Sequence, residues 1–301
     1  ITLPSSAEKG DQIILIDYLR TWGTNKIIID SNGLNYQGEA DSFIVEYTTS
    51  GQSLNIVYSD ATKGWIPLDD DATAFEPVQP PTQKGIFGYG YLASSYANVT
   101  NLVNSSGVVA ADVTGVGSAR QGITACGYGG DKGIFGLGTN ASGRVGITNL
   151  VTNLGVVGND VTAVATGRAN AAAAQYGGDK GIFGYGNTSA DVSLTNLVSN
   201  AGVVASNTTG VGTARDYLAA TDFSTDKAIF AFGRVTNQVS MSNLVSNSGV
   251  VATDTTGVGD ARFGLAATRF GVGKGIFAYG DNDSTPLVST SNLVSDVGVV
   301  A

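Results

Sequence analysis

Short apolar runs separated by turn-forming residues recur along the whole chain. Near the N-terminus they are rich in β-branched and aromatic residues and lie at residues 13–16, 27–29, 43–47 and 54–58. Turn formers such as Ser31-Asn32-Gly33 separate them, which is typical of antiparallel strands joined by tight turns. The pattern predicts a small N-terminal β-sandwich over residues 1–73.

From residue 84 onward the pattern repeats every 47 to 48 residues. Each copy carries Lys-(Gly/Ala)-Ile-Phe-(Gly/Ala), then an aromatic residue or Leu, then Gly. We call this the Phe phrase, and its phenylalanines are Phe87, Phe135, Phe183, Phe230 and Phe277. A unit this short cannot bury a hydrophobic face alone, so neighbouring copies must pack on one another.

Each repeat contains four candidate strands. They are a small-residue run such as 122–128, the Phe phrase, an Asn-Leu-Val segment, and a Gly-Val-Val segment starting at Gly107, Gly155, Gly202, Gly249 or Gly298. Four strands in about 47 residues match the size of a propeller blade. We therefore expect an all-β protein with a β-propeller of four-stranded repeats, and a β-solenoid is the alternative. Strand alternation would put Phe87 and Tyr89 on one face and Gly88 on the other.

The domain organisation follows from these two patterns. Residues 1–73 form the predicted sandwich, interpreted as an assembly or anchoring module. Residues 74–83 contain three prolines and predict a stiff extended linker. Residues 84–301 form the repeat domain, with five repeats of which the last is incomplete, and we expect the natural chain to continue into further repeats.

Two polar residues recur at fixed intervals. The asparagines are Asn101, Asn149, Asn196, Asn243 and Asn292, and the arginines are Arg120, Arg168, Arg215 and Arg262. A residue that recurs at unit spacing usually serves the scaffold, so the asparagines predict side chains that close local turns. The arginines predict ties between adjacent repeats, and the alternative is a ring of guanidiniums that binds an anion.

The repeats differ in length at one loop, between the last glycine of the Phe phrase and the repeated asparagine. The contents of this loop also differ from copy to copy, and we take Tyr91, Tyr96, Arg144, Asp191, Arg234, Asp281 and Asp283 as candidate binding residues. Diverse loops on a rigid repeat scaffold are typical of recognition surfaces. Neutral drift at hairpin ends is the alternative.

Composition narrows the chemistry. The chain has 301 residues, a formal charge of −9, no histidine and one cysteine, Cys126. These values argue against a nucleic-acid partner, exclude His/Cys zinc sites, and exclude nucleophiles activated by histidine. We expect no cofactor, no metal and no membrane insertion. Paired carboxylates could still hydrolyse a glycan, but Asp131, Asp179 and Asp226 recur with the repeat and predict turn residues that accept backbone N–H bonds.

Two resemblances add to this picture. An arginine, a small-residue strand and then a strand ending in glycine resemble a kelch-type blade, although the kelch double glycine and tryptophan are absent. Residues 10–17, 24–29 and 54–58, with Gly64-Trp65, resemble small β modules of tailed-bacteriophage fibres, and the tandem Asn-Leu-Val and Gly-Val-Val phrases are similar to repeats of large virion proteins of marine phages.

The phage resemblance implies a non-enzymatic virion structural protein, a tail or head fibre or decoration subunit at the surface of the extracellular particle. Its partners would be other virion subunits, its own copies in a homo-oligomer such as a trimer, and a host-surface glycan or protein. A glycan-active propeller enzyme that uses carboxylates alone and a bacterial cell-surface adhesin are the alternatives.

Overall fold

The computed structural model describes residues 1–68, 85–162, 164–283 and 287–301. The chain divides into two compact units, Ile1–Thr82 (unit 1) and Gln83–Ala301 (unit 2). The described residues contain no helix, and their strands pair antiparallel in small sheets, so the predicted all-β class is confirmed. Within these same ranges no helix could span a membrane. The predicted linker, 74–83, lies outside the described residues.

Unit 1 consists of two small sheets that share one core. Its strands are β1 (Gln12–Ile16), β2 (Ile27–Ile29), β3 (Val45–Tyr47), β4 (Ser53–Asp60) and β5 (Gly64–Pro67), paired in the orders β1-β4-β5 and β2-β3. Alternation along β4 buries Leu54, Ile56 and Tyr58. They join residues of β2 and β3 and Trp65 in one hydrophobic cluster, so burial on one face of each sheet holds the unit together.

One buried carboxylate fixes the loop that follows β1. Asp17 is almost fully buried and accepts hydrogen bonds from the backbone amides of Thr21, Trp22 and Gly51 at 2.9 Å each. Burial alone would raise the pKa of Asp17, but the amide donors outweigh it and lower the pKa from its ordinary value of 3.8. Asp17 is therefore an ionised anchor between the loop after β1 and the turn before β4.

The described residues of unit 2 form a row of five repeat sheets, which we number 1 to 5, and one short two-stranded hairpin. Sheet 1 contains β6 (Gly85–Leu92) and β7 (Ser95–Val103). Sheet 2 contains β8 (Thr124–Tyr128), β9 (Lys132–Gly136) and β12 (Thr148–Val151), and the hairpin β10 (Thr139–Asn140) and β11 (Gly143–Arg144) lies between the last two. Sheet 3 contains β13 (Ala172–Tyr176), β14 (Lys180–Gly184) and β15 (Thr195–Val198). Sheet 4 contains β16 (Ala219–Phe223), β17 (Lys227–Ala231) and β18 (Ser242–Val245). Sheet 5 contains β19 (Ala266–Phe270), β20 (Lys274–Ala278) and β21 (Ser291–Val294).

Successive sheets stack in sequence order. The first strands of sheets 2 to 5 (β8, β13, β16 and β19) contact one another in that order. In sheets 2 to 4 the phenylalanine of the Phe phrase packs against the small residue of the preceding phrase: a Cβ added to Gly136 would lie 2.7 Å from Phe183, and one added to Gly184 would lie 2.6 Å from Phe230. The repeat therefore requires a small residue where the next sheet docks. Among the described residues no sheet closes on itself.

The structure corrects the predicted faces of the Phe phrase. Tyr89 has a positive φ of 65°, and the β6–β7 register shifts between Gly88 and Gly90. This bulge interrupts the strand alternation, so Tyr89 faces the following sheet, where its ring meets Phe135 at 5.2 Å, and does not share a face with Phe87. The same left-handed conformation recurs at Leu137, Tyr185, Phe232 and Tyr279.

The predicted Gly-Val-Val strands are only partly formed. Each makes a single antiparallel bridge to the strand that carries the Asn-Leu-Val segment, as between Val151 and Val157, and a second bridge follows further on in sheets 1 to 4, as between Thr148 and Val161. Between these two bridges the side chain of Asn149 bonds the carbonyl of Gly158 at 3.0 Å. The two bridges are out of register by one residue, so no continuous fourth strand forms, and the asparagine side chain bonds a carbonyl in the interval.

Candidate functional site

A buried polar arrangement recurs inside unit 2. Arg168 is fully buried, and its guanidinium donates to the Tyr185 carbonyl at 2.7 Å, to the Thr166 carbonyl at 3.2 Å, and to Asn196 Oδ1 at 2.8 Å. Arg120 and Arg215 make equivalent bonds. Burial lowers the pKa of Arg168 to about 10. The guanidinium keeps three acceptors in place of water.

The arginines also touch the preceding sheet. The Arg120 guanidinium lies 4.2 Å from the centre of the Tyr89 ring, Arg215 lies 4.3 Å from that of Tyr185, and Arg262 lies 4.1 Å from that of Phe232. Such contacts are favourable cation–π interactions. Because the four guanidiniums are buried in these junctions, they do not line an open channel.

The repeated asparagines close the loop that carries the Gly-Val-Val segment. The Asn196 amide nitrogen donates to the Ala205 carbonyl and to Asn207 Oδ1, both at 3.0 Å. Asn101, Asn149 and Asn243 bond the equivalent carbonyl and a carboxylate at the second position. Asn292 bonds the Ala301 carbonyl. In sheet 5, unlike sheets 2 to 4, the arginine and asparagine do not bond each other, and Arg262 Nη2 and Asn292 Oδ1 have no hydrogen-bond partner among the described residues.

The turn aspartates have side-chain partners. Each accepts a bond from an asparagine side chain, and Asp131 also accepts a backbone N–H bond of the predicted kind. The pairs are Asp131 with Asn153 at 2.9 Å, Asp179 with Asn200 at 3.1 Å, and Asp226 with Asn247 at 3.1 Å. Each pair joins the turn between the first and second strands to the turn after the third strand of the same sheet.

Most of the candidate binding residues lie at one edge of the sheets. In sheets 1 to 4 a hairpin follows the strand that carries the Phe phrase, and its base is a cross-strand pair: Tyr91–Tyr96, Thr139–Arg144, Asn187–Asp191 and Arg234–Gln238. In sheets 2 to 5 the residue after the repeated arginine pairs with the same position, giving Gln121–Thr139, Ala169–Asn187, Asp216–Arg234 and Phe263–Asp281. We call the residues of these two sets of pairs the rim. The rim also includes the second residue after each repeated arginine, which is Gly122, Asn170, Tyr217 or Gly264.

Sheets 2 and 3 are joined at the rim by a polar chain. The exposed Arg144 donates from Nη2 to Asn187 Oδ1 at 2.5 Å, and Asn187 donates from Nδ2 to Asp191 Oδ1 at 2.8 Å. Two of the predicted residues, one cationic and one anionic, are therefore held together through Asn187.

Sheets 4 and 5 carry an aromatic and cationic group. The Arg234 guanidinium lies 4.6 Å from the centre of the Phe263 ring and 5.2 Å from that of Tyr217, and these two rings meet edge to face at 6.0 Å. Next to them Asp216 is buried and accepts a bond from Asn170 at 3.4 Å. Burial raises the pKa of Asp216, and the neighbouring Asp191 adds to the rise.

The remaining candidates lie at the two ends of the row. The Tyr91 and Tyr96 rings meet edge to face at 5.4 Å. Asp281 accepts a bond from the Asp283 backbone amide at 2.8 Å, as in an Asx turn. No group of three or more His, Cys, Asp or Glu side chains in the described ranges could hold a metal ion.

The sequence interpretation missed part of the rim. Asn170, Asp216, Tyr217 and Phe263 lie one or two residues after the repeated arginine, where the sequence varies from copy to copy. These residues could have been recognised as candidates because their identity varies between repeats although the arginine beside them does not. Only the pairing of this segment with the hairpin base shows that the two variable positions meet.

A second surface is a groove of about 330 Å³ lined by the first strands of sheets 2 to 5. The second residue of each strand is alanine, whereas the fourth differs: Gly127, Gln175, Asp222 and Arg269. Arg269 and Asp222 form an ion pair at 3.1 Å. Burial raises the pKa of the Cys126 thiol, at one end of the groove, to about 12, so the thiol stays protonated at neutral pH.

Comparison with known proteins gives no family assignment. No protein-family model matches the chain, and no curated protein matches it significantly.

Proposed function

We propose that this chain is a non-enzymatic structural protein of a bacteriophage particle, a tail or head fibre or decoration subunit. In this proposal unit 1 anchors the chain in the particle, and unit 2 displays its rim to a host-surface glycan or protein. The particle assignment rests on the sequence resemblance of unit 1 and of the repeat phrases to phage virion proteins. The binding role has a separate support in the geometry of unit 2.

That support is the contrast between the inside and the rim of the same sheets. Inside, Arg120, Arg168 and Arg215 make the same bonds in three successive sheets. At the rim, structurally equivalent positions hold Tyr91, Thr139, Asn187, Arg234 and Asp281. A scaffold that repeats its packing while it varies one edge is how repeat proteins build recognition surfaces.

The chemistry of the rim suits a polar ligand such as a glycan. The guanidiniums of Arg144 and Arg234 present several N–H donors, which can bond hydroxyls or carboxylates. The rings of Tyr91, Tyr96 and Tyr217 can pack on the apolar face of a sugar while their hydroxyls bond its polar groups.

For the architecture we propose a kelch-like β-propeller in unit 2 and a β-sandwich in unit 1. The first strands of sheets 2 to 5 adjoin one another and line the groove, as the inner strands of propeller blades line a central channel. In unit 1 two sheets share one core, as in a sandwich. An experimental structure would test this, because a solenoid would relate successive sheets mainly by translation and a propeller by rotation about one axis.

The binding role can be tested with the full chain on an array of bacterial capsular and lipopolysaccharide glycans and on intact bacterial cells. The test variant is the double change Arg144→Ala and Arg234→Ala. The matched control is the double change Asp222→Asn and Arg269→Gln, which removes one carboxylate and one guanidinium from the groove.

We expect the wild type and the groove variant to bind the same glycans or cells, and the rim variant to lose at least tenfold in apparent affinity. Loss of binding in the groove variant alone would overturn the rim assignment. Release of shortened glycan products would overturn the non-enzymatic assignment and favour the carboxylate enzyme.

A further inference from the structure

Unit 2 exposes two different aromatic faces, one on sheet 1 and one on sheet 5. Phe87 in sheet 1 is 62% exposed, although its equivalents Phe135, Phe183, Phe230 and Phe277 are at most 4% exposed. Tyr279 in sheet 5 is 63% exposed. Both residues belong to the repeated Phe phrase, so the internal sheets show what normally covers them.

At the internal junctions these two positions cover each other. The phenylalanine of one sheet packs on the ring two residues after the phenylalanine of the preceding sheet. The ring centres are 5.2 Å apart for Tyr89–Phe135, 5.2 Å for Tyr185–Phe230 and 5.5 Å for Phe232–Phe277. Phe87 and Tyr279 are therefore the two halves of a contact that unit 2 makes at three of its internal junctions.

A second contact shows the same complementarity. At internal junctions the glycine of the Gly-Val-Val segment packs on a Leu and an aromatic residue of the preceding sheet, as Gly249 does on Leu197 and Tyr176. In sheet 1 the equivalent Gly107 faces open space. In sheet 5 the equivalent Leu293 and Phe270 are 49% and 40% exposed.

We propose that the sheet 5 face of one copy, formed by Phe270, Tyr279 and Leu293, binds the sheet 1 face of a second copy, formed by Phe87 and Gly107. The interface would repeat the packing of an internal junction, with Phe87 of one copy on Tyr279 of the other. The two faces are different surfaces, so the contact is head to tail, which gives a closed ring if the rotation between copies closes and an open row if it does not. This inference is independent of the rim, because none of these five residues belongs to it.

A second copy of this chain is the partner that fits these two faces. Large exposed apolar patches on a soluble protein usually mark interaction sites. Both faces are exposed at once in the described part of unit 2, so the described repeats do not cover them. A second copy supplies the missing ring and the missing glycine together, in the geometry that unit 2 already uses.

The test is sedimentation velocity of the full chain across a range of concentrations. The variants are Phe87→Asp and Tyr279→Asp, each of which places a charge on one face. Because both side chains are exposed in the single chain, neither change should unfold it, and circular dichroism checks this. Leu154→Asp is the control, since Leu154 is 70% exposed and belongs to neither face.

We expect the mass of the wild type and of Leu154→Asp to grow with concentration, and each test variant to stop growing. An equimolar mixture of the two variants should form a species larger than either alone, because each retains the face that the other has lost. The proposal is overturned if the wild type does not grow with concentration, if the variants grow as the wild type does, or if the mixture shows no recovery.

Discussion

Replacing Phe183 by alanine tests the proposed division between packed interior and exposed ends. Phe183 is fully buried, lies against Gly136, and belongs to a cluster with Tyr128, Ile134 and Leu137. Transfer of a buried aromatic side chain accounts for about 1.5–3 kcal/mol, and the cavity left between two rigid sheets adds to this. We expect a loss of about 3–5 kcal/mol in the free energy of unfolding of unit 2.

The chain provides a matched control. Residues 85–90 and 181–186 share the sequence Gly-Ile-Phe-Gly-Tyr-Gly, but Phe87 is largely exposed. Phe87→Ala should change stability by less than about 0.5 kcal/mol in dilute solution, where the proposed contact between copies is absent.

The two units can be observed separately in this assay. Both tryptophans of the chain, Trp22 and Trp65, belong to the core of unit 1. Tryptophan fluorescence in a denaturant titration therefore follows unit 1, while tyrosine fluorescence and far-ultraviolet circular dichroism include unit 2. Phe183→Ala should shift the second set of signals and leave the tryptophan transition in place. Equal effects of Phe183→Ala and Phe87→Ala would refute the reasoning.

Three further predictions can be tested by the same denaturant titration. Asn196→Leu leaves a buried donor of Arg168 without an acceptor and should lower the free energy of unfolding of unit 2 by about 1.5–3 kcal/mol. Asn101→Leu is the control and should lower it less, because Asn101 bonds no arginine in the described part of the chain. Equal losses would contradict this reasoning. Because the pKa of Asp17 is lowered in the folded state, its ionised carboxylate stabilises unit 1 at pH values above its ordinary pKa of 3.8. This stability is lost as the pH falls through the lower pKa of the folded state. Asp17→Asn should therefore flatten the acid limb of the tryptophan transition, and an unchanged limb would contradict the assignment. Tyr96→Ala at the rim should leave stability nearly unchanged, and a loss like that of Phe183→Ala would make Tyr96 part of the framework.

The sequence predicted those features that depend on local pattern. Strands β1 to β4 of unit 1 lie at the four predicted apolar runs, whereas β5 was not predicted, and the Phe phrase and Asn-Leu-Val segment form the second and third strands of sheets 2 to 5. These predictions succeed because alternation and turn residues are local signals. The all-β class follows from the same signals.

Other features depend on distant partners and could not be predicted in this way. The left-handed backbone at Tyr89 and its equivalents breaks the alternation on which strand faces were assigned. The Gly-Val-Val segment does not form a continuous strand because its two bridges are out of register by one residue, and an asparagine side chain bonds a carbonyl between them. The pairing of Asp216 with Arg234 joins segments 18 residues apart, and no local pattern reports it.

Electron cryomicroscopy of the native assembly that contains this chain tests the central claim most directly. The account predicts a phage particle in which unit 1 contacts other subunits and the rim, with Arg144, Arg234 and Tyr91, faces solvent. A rim buried against other particle subunits, or a free chain with carboxylates converging on a bound glycan, would contradict it.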